Sequence, residues 1–206
     1  MHSQQQLIVF ARAPEYGLVK RRLAADIGKQ QALDFYTKTL KTLLEQMDGG
    51  HWHLTVATDT ASAKNHALFK NLDLIVQPEG DLGHRMATVL DRFRGSPRII
   101  IGSDIPSVRT LHIQRAFEVL SDHDVVFGPA QDGGFWLVGC SADFDSRFTA
   151  DSLFTKGIRW STDQTLSDTL STLPTDCRVA NVCTLSDVAD GNSYQQHLSD
   201  SERLGL

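Results

Sequence analysis

Short apolar segments alternate with helix-length segments over the first 120 residues of this chain. Each apolar segment has the length of a strand and no polar alternation, which is typical of a strand buried on both faces. This order predicts right-handed crossovers and a mainly parallel sheet with helices on both faces. The predicted strands are residues 6–11, 53–57, 73–77 and 98–102, and the predicted helices are residues 32–47, 62–69, 82–93 and 108–120.

The pattern changes in the second half of the chain. Two strand-like segments, 124–128 and 134–139, are separated by a glycine-rich turn too short for a crossover helix, so we expect an antiparallel strand there. A last strand is predicted at 178–182, and a polar tail from about residue 186. We therefore expect one α/β domain over residues 1–206, with three α/β/α layers around a mixed but mainly parallel sheet.

Charge and composition exclude several classes of partner. The chain has 20 Lys and Arg against 25 Asp and Glu, a formal net charge of −5, which disfavours nucleic acid and anionic membranes as partners. No apolar segment has the length of a membrane span or the features of a signal peptide. Three cysteines without a C-x-x-C pair indicate neither a disulfide framework nor a zinc site. We expect a cytoplasmic enzyme or binding protein.

The loop after the first predicted strand is basic where a helix begins. Residues 11–23 read A-R-A-P-E-Y-G-L-V-K-R-R-L, which places Lys20, Arg21 and Arg22 at a helix N-terminus. Cations are unfavourable there because that end of the helix dipole is already positive. Either the turn is simply solvated, or a bound anion such as phosphate compensates the charge. The loop has neither the Walker nor the dinucleotide-binding glycine pattern, which disfavours P-loop ATPases and Rossmann dehydrogenases.

Acidic residues follow the third and fourth predicted strands. Asp81 suits the N-cap of the next helix, and Arg85, one turn later, could contact an anion. Asp104 follows a fully apolar strand, so it is either a turn residue or a ligand of Mg²⁺ or Mn²⁺ over a diphosphate. One carboxylate does not complete a metal shell, so phosphate oxygens or another side chain would have to contribute.

A further turn, Asp132-Gly133-Gly134, joins the two closely spaced strands. It is either a plain hairpin turn or a place where the backbone approaches a ligand that Asp132 faces.

Taken in order, these segments resemble a bacterial family of radical-SAM/selenodomain-associated transferases, which have the GT-A nucleotide-diphospho-sugar transferase fold. The resemblance covers about residues 7 to 162. The two most specific matches are the segments at 80–86 and 132–139. The matching segments are F-A-R-A-P-x-x-G-x-V-K-x-R-L, G-D-L-G-x-R-M, G-S-D-I-P, G-P-A-x-D-G-G-F-W-L-V-G and, more weakly, I-R-W-S-T.

The resemblance implies a nucleotide at the first loop, a divalent cation at Asp104, and the transferred group or acceptor near the Asp132 turn and residues 161–162. It implies catalytic roles for Asp104 and Asp132, a nucleotide-activated small molecule as substrate, and Mg²⁺ or Mn²⁺ as cofactor. The residues that it assigns to nucleotide or substrate binding are Arg12, Pro14, Gly17, Lys20, Arg22, Asp81, Arg85, Ser103, Gly133, Gly134, Ser161 and Thr162.

The chain departs from the family pattern near the implied site. Arg12 stands where Lys is usual, and His84 where Glu is usual. The family's D-V-D-T-P-E-D-L segment has its counterpart at residues 187–190, with Ala189 in place of the second Asp. If that carboxylate binds metal, this chain binds metal weakly or uses Asp190 instead.

Three functions follow as hypotheses. The leading one is a metal-assisted transferase acting on a nucleotide-activated sugar, a glycosyltransferase. The D-x-P at residues 104–106, where such enzymes usually have D-x-D, favours instead a nucleotidyltransferase that releases pyrophosphate from an NTP, although Gly17 is the only glycine of the first loop. The third is a non-catalytic nucleotide-binding module with a degenerate site.

Overall fold

One seven-stranded sheet forms the centre of the molecule. The computed structural model describes residues 4–204, and the sheet has the strand order β3-β2-β1-β4-β6-β5-β7. Strand β6 is antiparallel to both β4 and β5, and every other neighbouring pair is parallel. The strands are β1 (Gln5–Ala11), β2 (Trp52–Thr58), β3 (Asp73–Val76), β4 (Arg98–Gly102), β5 (Val125–Pro129), β6 (Phe135–Cys140) and β7 (Val179–Asn181).

Six α-helices accompany the sheet in the part of the chain that the structure describes, and none is long and apolar enough to cross a membrane. The predicted fold class, mainly parallel with an antiparallel strand in the second half, is confirmed. The helices are α1 (Arg21–Ile27), α2 (Lys29–Met47), α3 (Leu82–Asp91), α4 (Thr110–Val119), α5 (Thr165–Thr172) and α6 (Gly191–Leu204).

Successive residues of the central strands enter two different apolar cores. In β1, Leu7 and Val9 are fully buried against α2 and α4, whereas Ile8 is fully buried on the opposite side, against α3. In β4 the same alternation places Ile100 with Ile8. Because side chains alternate between the faces of a strand, a continuous apolar run is what a sheet covered on both sides requires.

The segment predicted as a helix at residues 62–69 is not an α-helix. It forms two short 3₁₀ helices, Ala61–Asn65 and Ala67–Phe69, which are interrupted at His66. The His66 backbone is extended (ψ 135°), and its Nδ1 accepts a hydrogen bond from the Leu68 N–H at 3.3 Å. A side chain that caps the chain locally competes with the backbone hydrogen bonds of a continuous helix.

The polar tail contains helix α6, which contacts the N-terminal helices. Tyr194 packs edge-on against Phe35 with ring centroids 5.2 Å apart, and the Gly191 N–H donates to Asp26 Oδ2 at 2.7 Å. Just before the helix, Val188 is 2% exposed in a small cluster with α1 and α2. This packing holds the segment before α6 against the carboxyl edge of the sheet.

Candidate functional site

A cleft of about 690 Å³ lies at the carboxyl edge of β1 and β4. From β1 the chain continues to β2 and β3 on one side of the sheet. It then returns to form β4 on the other side of β1. In open α/β sheets, ligands bind where the strand order reverses in this way. The cleft is lined by Phe10, Ala11, Arg12, Leu18, Val19, Lys20, Arg21, Arg22, Tyr36, Asp59, Gln77, Leu82, Arg85, Gly102, Ser103, Asp104, Asp187 and Ala189.

Lys20 joins three segments at the floor of this cleft. Its backbone is left-handed (φ 47°) at the N-cap of α1, and only 8% of its side chain is exposed. The ammonium group donates to Asp104 Oδ2 at 3.0 Å and to the Val188 carbonyl at 2.6 Å. An ammonium group has three donors, so these two bonds leave one N–H for a ligand in the cleft.

Tyr36 links the loops after β1 and β4. Its hydroxyl accepts a hydrogen bond from the Arg12 N–H at 3.0 Å, donates to the Arg12 carbonyl at 3.1 Å, and lies 3.3 Å from Ser103 Oγ. Burial raises the pKa of Tyr36, so the hydroxyl stays neutral. The helical periodicity of α2 had placed Tyr36 on an apolar face, and no sequence signal marked its polar atom as part of a site.

The opposite wall of the cleft carries Arg85 on helix α3. Its Nη1 donates to Gln77 Oε1 at 3.0 Å, and the Gln77 amide donates to the Ala57 carbonyl at 2.7 Å. The Arg85 Nε is buried and has no hydrogen-bond partner among residues 4–204. This chain of bonds from β2 fixes the guanidinium at the cleft.

The cleft has more cationic than anionic side chains. Five basic residues line it, against three acidic ones. Four of these charges form two ion pairs, Arg12 Nε with Asp59 Oδ2 at 3.2 Å and Lys20 Nζ with Asp104 Oδ2 at 3.0 Å. The remaining excess favours an anionic ligand. The five basic residues are Arg12, Lys20, Arg21, Arg22 and Arg85.

Carboxylates gather at one end of the cleft, around Asp187. Burial raises the pKa of Asp187, and the nearby charges of Asp132 and Asp104 raise it further, whereas Lys20 opposes this effect. Within the described residues, neither Asp132 nor Asp187 forms an ion pair. Over residues 4–204, no three His, Cys, Asp or Glu side chains are grouped closely enough to hold an ion by themselves.

Asp190 does not take part in this group. Its Oδ1 accepts hydrogen bonds from the Ser193 N–H at 2.9 Å and from Ser193 Oγ at 2.8 Å, which lower its pKa. It therefore caps helix α6, while Asp187, three residues earlier, faces the cleft. The family resemblance offers Asp190 as the substitute for the carboxylate missing at Ala189, and it assigns no role to Asp187, the first residue of the same segment.

A second cavity of about 210 Å³ opens beside the cleft. It shares residues with the cleft, including Asp104 and Asp187, which therefore lie at the junction of the two spaces. It is lined by Phe10, Leu82, Met86, Ile100, Gly102, Asp104, Ile105, Ala130, Asp132, Gly134, Phe135, Trp136, Leu137, Val138, Trp160, Ser161, Thr162, Thr165 and Asp187.

Most of the residues singled out in the sequence lie at one of these spaces. Asp104 lines both the cleft and the second cavity. The cleft contains Arg12, Lys20, Arg22, Arg85 and Ser103, and the second cavity contains Asp132, Gly134, Ser161 and Thr162.

Four of the singled-out residues line neither space. Asp81 caps α3 by accepting a hydrogen bond from the His84 N–H at 2.8 Å. Gly133 has φ +85°, and a Cβ there would overlap the backbone of Asp163. Its lack of a side chain therefore allows a close approach of the protein's own backbone. The other two are Pro14 and Gly17, in the loop after β1.

Comparison with known proteins places the fold among nucleotide-dependent transferases. A candidate nucleotide-diphospho-sugar transferase from Desulfovibrio desulfuricans G20 has a TM-score of 0.77 and 26% identity, covering 91% of this chain and 83% of that chain. A CMP:2-keto-3-deoxy-manno-octonic acid synthetase complexed with CTP has a TM-score of 0.59 and 12% identity, over 99% of this chain and 100% of that one.

A third structure, Rv0371c from Mycobacterium tuberculosis H37Rv in complex with manganese, has a TM-score of 0.53 and 14% identity, over 96% of this chain and 99% of that one. Because their identity with this chain is low, the synthetase and Rv0371c show a shared fold alone. No curated protein matches the chain significantly. Residues 39–162 match the family described as "Uncharacterized protein conserved in bacteria (DUF2064)". Because this match spans more than half of the sequence and includes β4, Asp104 and the Asp132 turn, the chain belongs to the DUF2064 family.

Proposed function

We propose that this protein is a metal-assisted transferase that moves a glycosyl group from a nucleotide diphosphate to a small acceptor. The observation that carries the proposal is the junction of two cavities at Asp104 and Asp187, with basic side chains lining the larger one. A donor and an acceptor placed in the two spaces would meet at these carboxylates. The motifs of the first 162 residues support a finer assignment to the radical-SAM/selenodomain-associated transferases.

The basic side chains of the cleft would bind the diphosphate of the donor. Lys20 has a free N–H beside Asp104, and Arg22 and Arg85 approach from α1 and α3. Phosphate oxygens would accept charge-assisted hydrogen bonds from these groups. As the leaving diphosphate gains negative charge, such bonds strengthen, and this is how binding energy accelerates a transfer.

The carboxylates at the junction fit a hard divalent cation, Mg²⁺ or Mn²⁺. Asp187 is half-buried, the charges of Asp104 and Asp132 raise its pKa, and the charge of Lys20 opposes this effect. Mg²⁺ is typically held by one or two carboxylates together with substrate phosphates and waters. Asp104 and Asp187 would hold the ion here, with the diphosphate completing the shell. When bound, the divalent cation supplies positive charge that neutralises the diphosphate.

The transfer itself exchanges one bond for another. A hydroxyl oxygen of the acceptor forms a bond to the anomeric carbon of the sugar, while the bond from that carbon to the diphosphate oxygen breaks. The nucleoside diphosphate leaves with the electron pair, and the hydroxyl proton passes to the carboxylate of Asp132. This residue is exposed at the turn before β6 and lines the second cavity, which is the position such a base requires.

Nucleotidyl transfer is the second candidate, because the fold is shared with a synthetase that holds CTP. In that reaction an oxygen of the acceptor attacks the α-phosphorus of an NTP, and pyrophosphate leaves. The same basic cleft would bind the triphosphate. Pyrophosphate release from a panel of NTPs with Mg²⁺ and phosphate acceptors distinguishes this reaction from glycosyl transfer.

Thermal unfolding with UDP-, GDP- and CDP-sugars, with and without Mn²⁺, tests the leading proposal. A ligand present at a concentration of 100 times its Kd increases the free energy of unfolding by about 2.7 kcal/mol. This raises the Tm of a domain of this size by roughly 5–10 °C. We expect such a shift with one nucleotide class, in the presence of Mn²⁺ only. Asp104→Ala should abolish it, because Asp104 lies at the junction and pairs with Lys20.

Asp122→Ala is the matched control, because Asp122 is exposed and lines neither cavity. It should retain the full shift. Stabilisation without Mn²⁺ that also survives in Asp104→Ala would contradict the proposal and favour a non-catalytic nucleotide-binding module. Pyrophosphate release with any NTP would favour nucleotidyl transfer.

A further inference from the structure

The base of the second cavity is formed by core side chains. Met86, Ile100, Trp136, Leu137 and Val138 all line it, and none is more than 4% exposed. They belong to the two apolar clusters that cover the faces of the sheet. The cavity is therefore a gap in the core that opens toward the cleft.

The buried indole of Trp136 offers no free hydrogen-bond donor to this cavity. Trp136 Nε1 already donates to the Cys183 carbonyl at 3.0 Å. Phe135 stands edge-on to Phe127, with ring centroids 5.3 Å apart. Trp160 is partly exposed on the opposite side and lies against Phe154 at 6.0 Å. Buried polar groups without partners are costly, so these walls favour an apolar guest.

The exposed polar side chains of this lining lie toward the opening of the cavity. Asp132, Ser161 and Thr162 are exposed there, next to the junction carboxylates. The deeper hydroxyl of Thr165 is already bonded within the protein, to the Arg159 carbonyl at 2.8 Å and the Thr162 carbonyl at 2.9 Å. A guest would therefore place its polar end at the opening and its apolar end inside.

The volume limits how large the apolar end can be. The cavity has about 210 Å³, and an apolar protein cavity of about 150 Å³ accommodates benzene. We propose that the acceptor is a monocyclic alcohol or phenol, whose apolar ring occupies the second cavity and whose hydroxyl lies at the junction near Asp132 and Asp187. This inference rests on the proposed transferase function and names the class of its acceptor.

Cyclohexanol and myo-inositol test this inference, because they share one ring size and differ in hydroxylation. We expect cyclohexanol to bind at least tenfold more tightly than inositol, since the base of the cavity has no partners for the additional hydroxyls. Binding is measured by tryptophan fluorescence in Trp52→Phe, in which the two remaining tryptophans both line the cavity. Calorimetric titration of the wild-type protein provides a second readout.

Variants of Trp160 locate the binding. Trp160→Ala should weaken cyclohexanol binding about tenfold, because it removes an aromatic wall, whereas Trp160→Phe should change it less than threefold. Leu111→Ala is the control, because Leu111 is 61% exposed and lines neither space. Calorimetry reports on these variants without depending on the mutated fluorophore.

Inositol binding as tight as that of cyclohexanol would overturn the inference, and so would cyclohexanol binding that is unchanged in a folded Trp160→Ala protein. The wild-type comparison decides the matter even where Trp160→Ala fails to fold. The titration contains neither nucleotide nor metal. A protein that binds nucleotide sugars but not cyclohexanol therefore refutes the acceptor class alone, whereas one that binds cyclohexanol but no nucleotide refutes the transferase function.

Discussion

Gly133 connects the β5–β6 turn with the segment that leads into α5, and its replacement by alanine should be costly. Its backbone is left-handed (φ +85°), and its carbonyl accepts a hydrogen bond from the Leu166 N–H at 3.0 Å. A Cβ at this position would overlap the carbonyl group of Asp163. Because the obstacle is backbone, no side-chain rotation can relieve the overlap, and the segment around Asp163 must move.

The expected loss of stability has two parts. An L-residue in the left-handed region costs about 1–2 kcal/mol, and overpacking in a closely packed region adds about 1–3 kcal/mol. Gly133→Ala should therefore reduce the free energy of unfolding by about 2–5 kcal/mol. Gly49 has a similar φ of +80°, and a Cβ there would meet nothing within 4 Å. Gly49→Ala should show only the first part, about 1–2 kcal/mol.

Urea unfolding of the wild-type protein and both variants measures these values, with an unchanged m-value showing that the unfolded state is not altered. The difference between the two variants isolates the contact between the turn and Asp163. Equal losses for Gly133→Ala and Gly49→Ala would refute the reasoning, because the Asp163 segment would then not be packed against the turn.

Two further predictions concern ion pairs away from the cleft. Hydrogen bonds from Arg178 lower the pKa of Asp124 in the folded protein. The ionised Asp124 carboxylate therefore stabilises the fold at pH values above its unfolded pKa of about 3.8, and this stabilisation is lost as the pH falls through its pKa in the folded protein. The Tm difference between wild type and Asp124→Asn, scanned from pH 7 to pH 2, should therefore be largest near neutrality and shrink below about pH 4; a constant difference would contradict this. Arg98 is fully buried and pairs with Asp145 at 2.6 Å, so Asp145→Asn should cost about 3–5 kcal/mol in urea unfolding. The exposed control Glu118→Gln should be nearly neutral, and similar losses for the two variants would show that the Arg98 charge is not dependent on its partner.

Local patterns were sufficient to predict most of the elements, and they failed where local chemistry is ambiguous. The continuous apolar runs of β1 and β4 have one stable use, which is burial on both faces of a sheet. Residues 62–69 contain apolar side chains at helical spacing, but a capping histidine interrupts them. The sequence of α6 is polar, and the helix is held in place by an aromatic contact with α2.

The candidate site could be predicted in part. The loops after β1 and β4 lie at one edge of the sheet, because parallel strands bring their carboxyl ends together. Lys20 and Asp104 were singled out from their positions after these strands, Arg12 was singled out through the family resemblance, and all three line the cleft. Gly133 was singled out as a place where the backbone could approach a ligand, but it packs against the protein's own backbone and lines neither space.

The sequence by itself determined the order of strands and helices and the edge at which functional loops meet, because burial and turn formation depend on neighbouring residues. Only the tertiary structure decided which side chains meet there. Lys20 pairs with Asp104 and also bonds to Val188, residues 84 and 168 positions away in the chain. The junction carboxylate Asp187 was likewise brought to the cleft by packing of the segment before α6. Contacts between residues so far apart in the sequence arise when the layers pack together, so they cannot be predicted from the spacing of neighbouring residues.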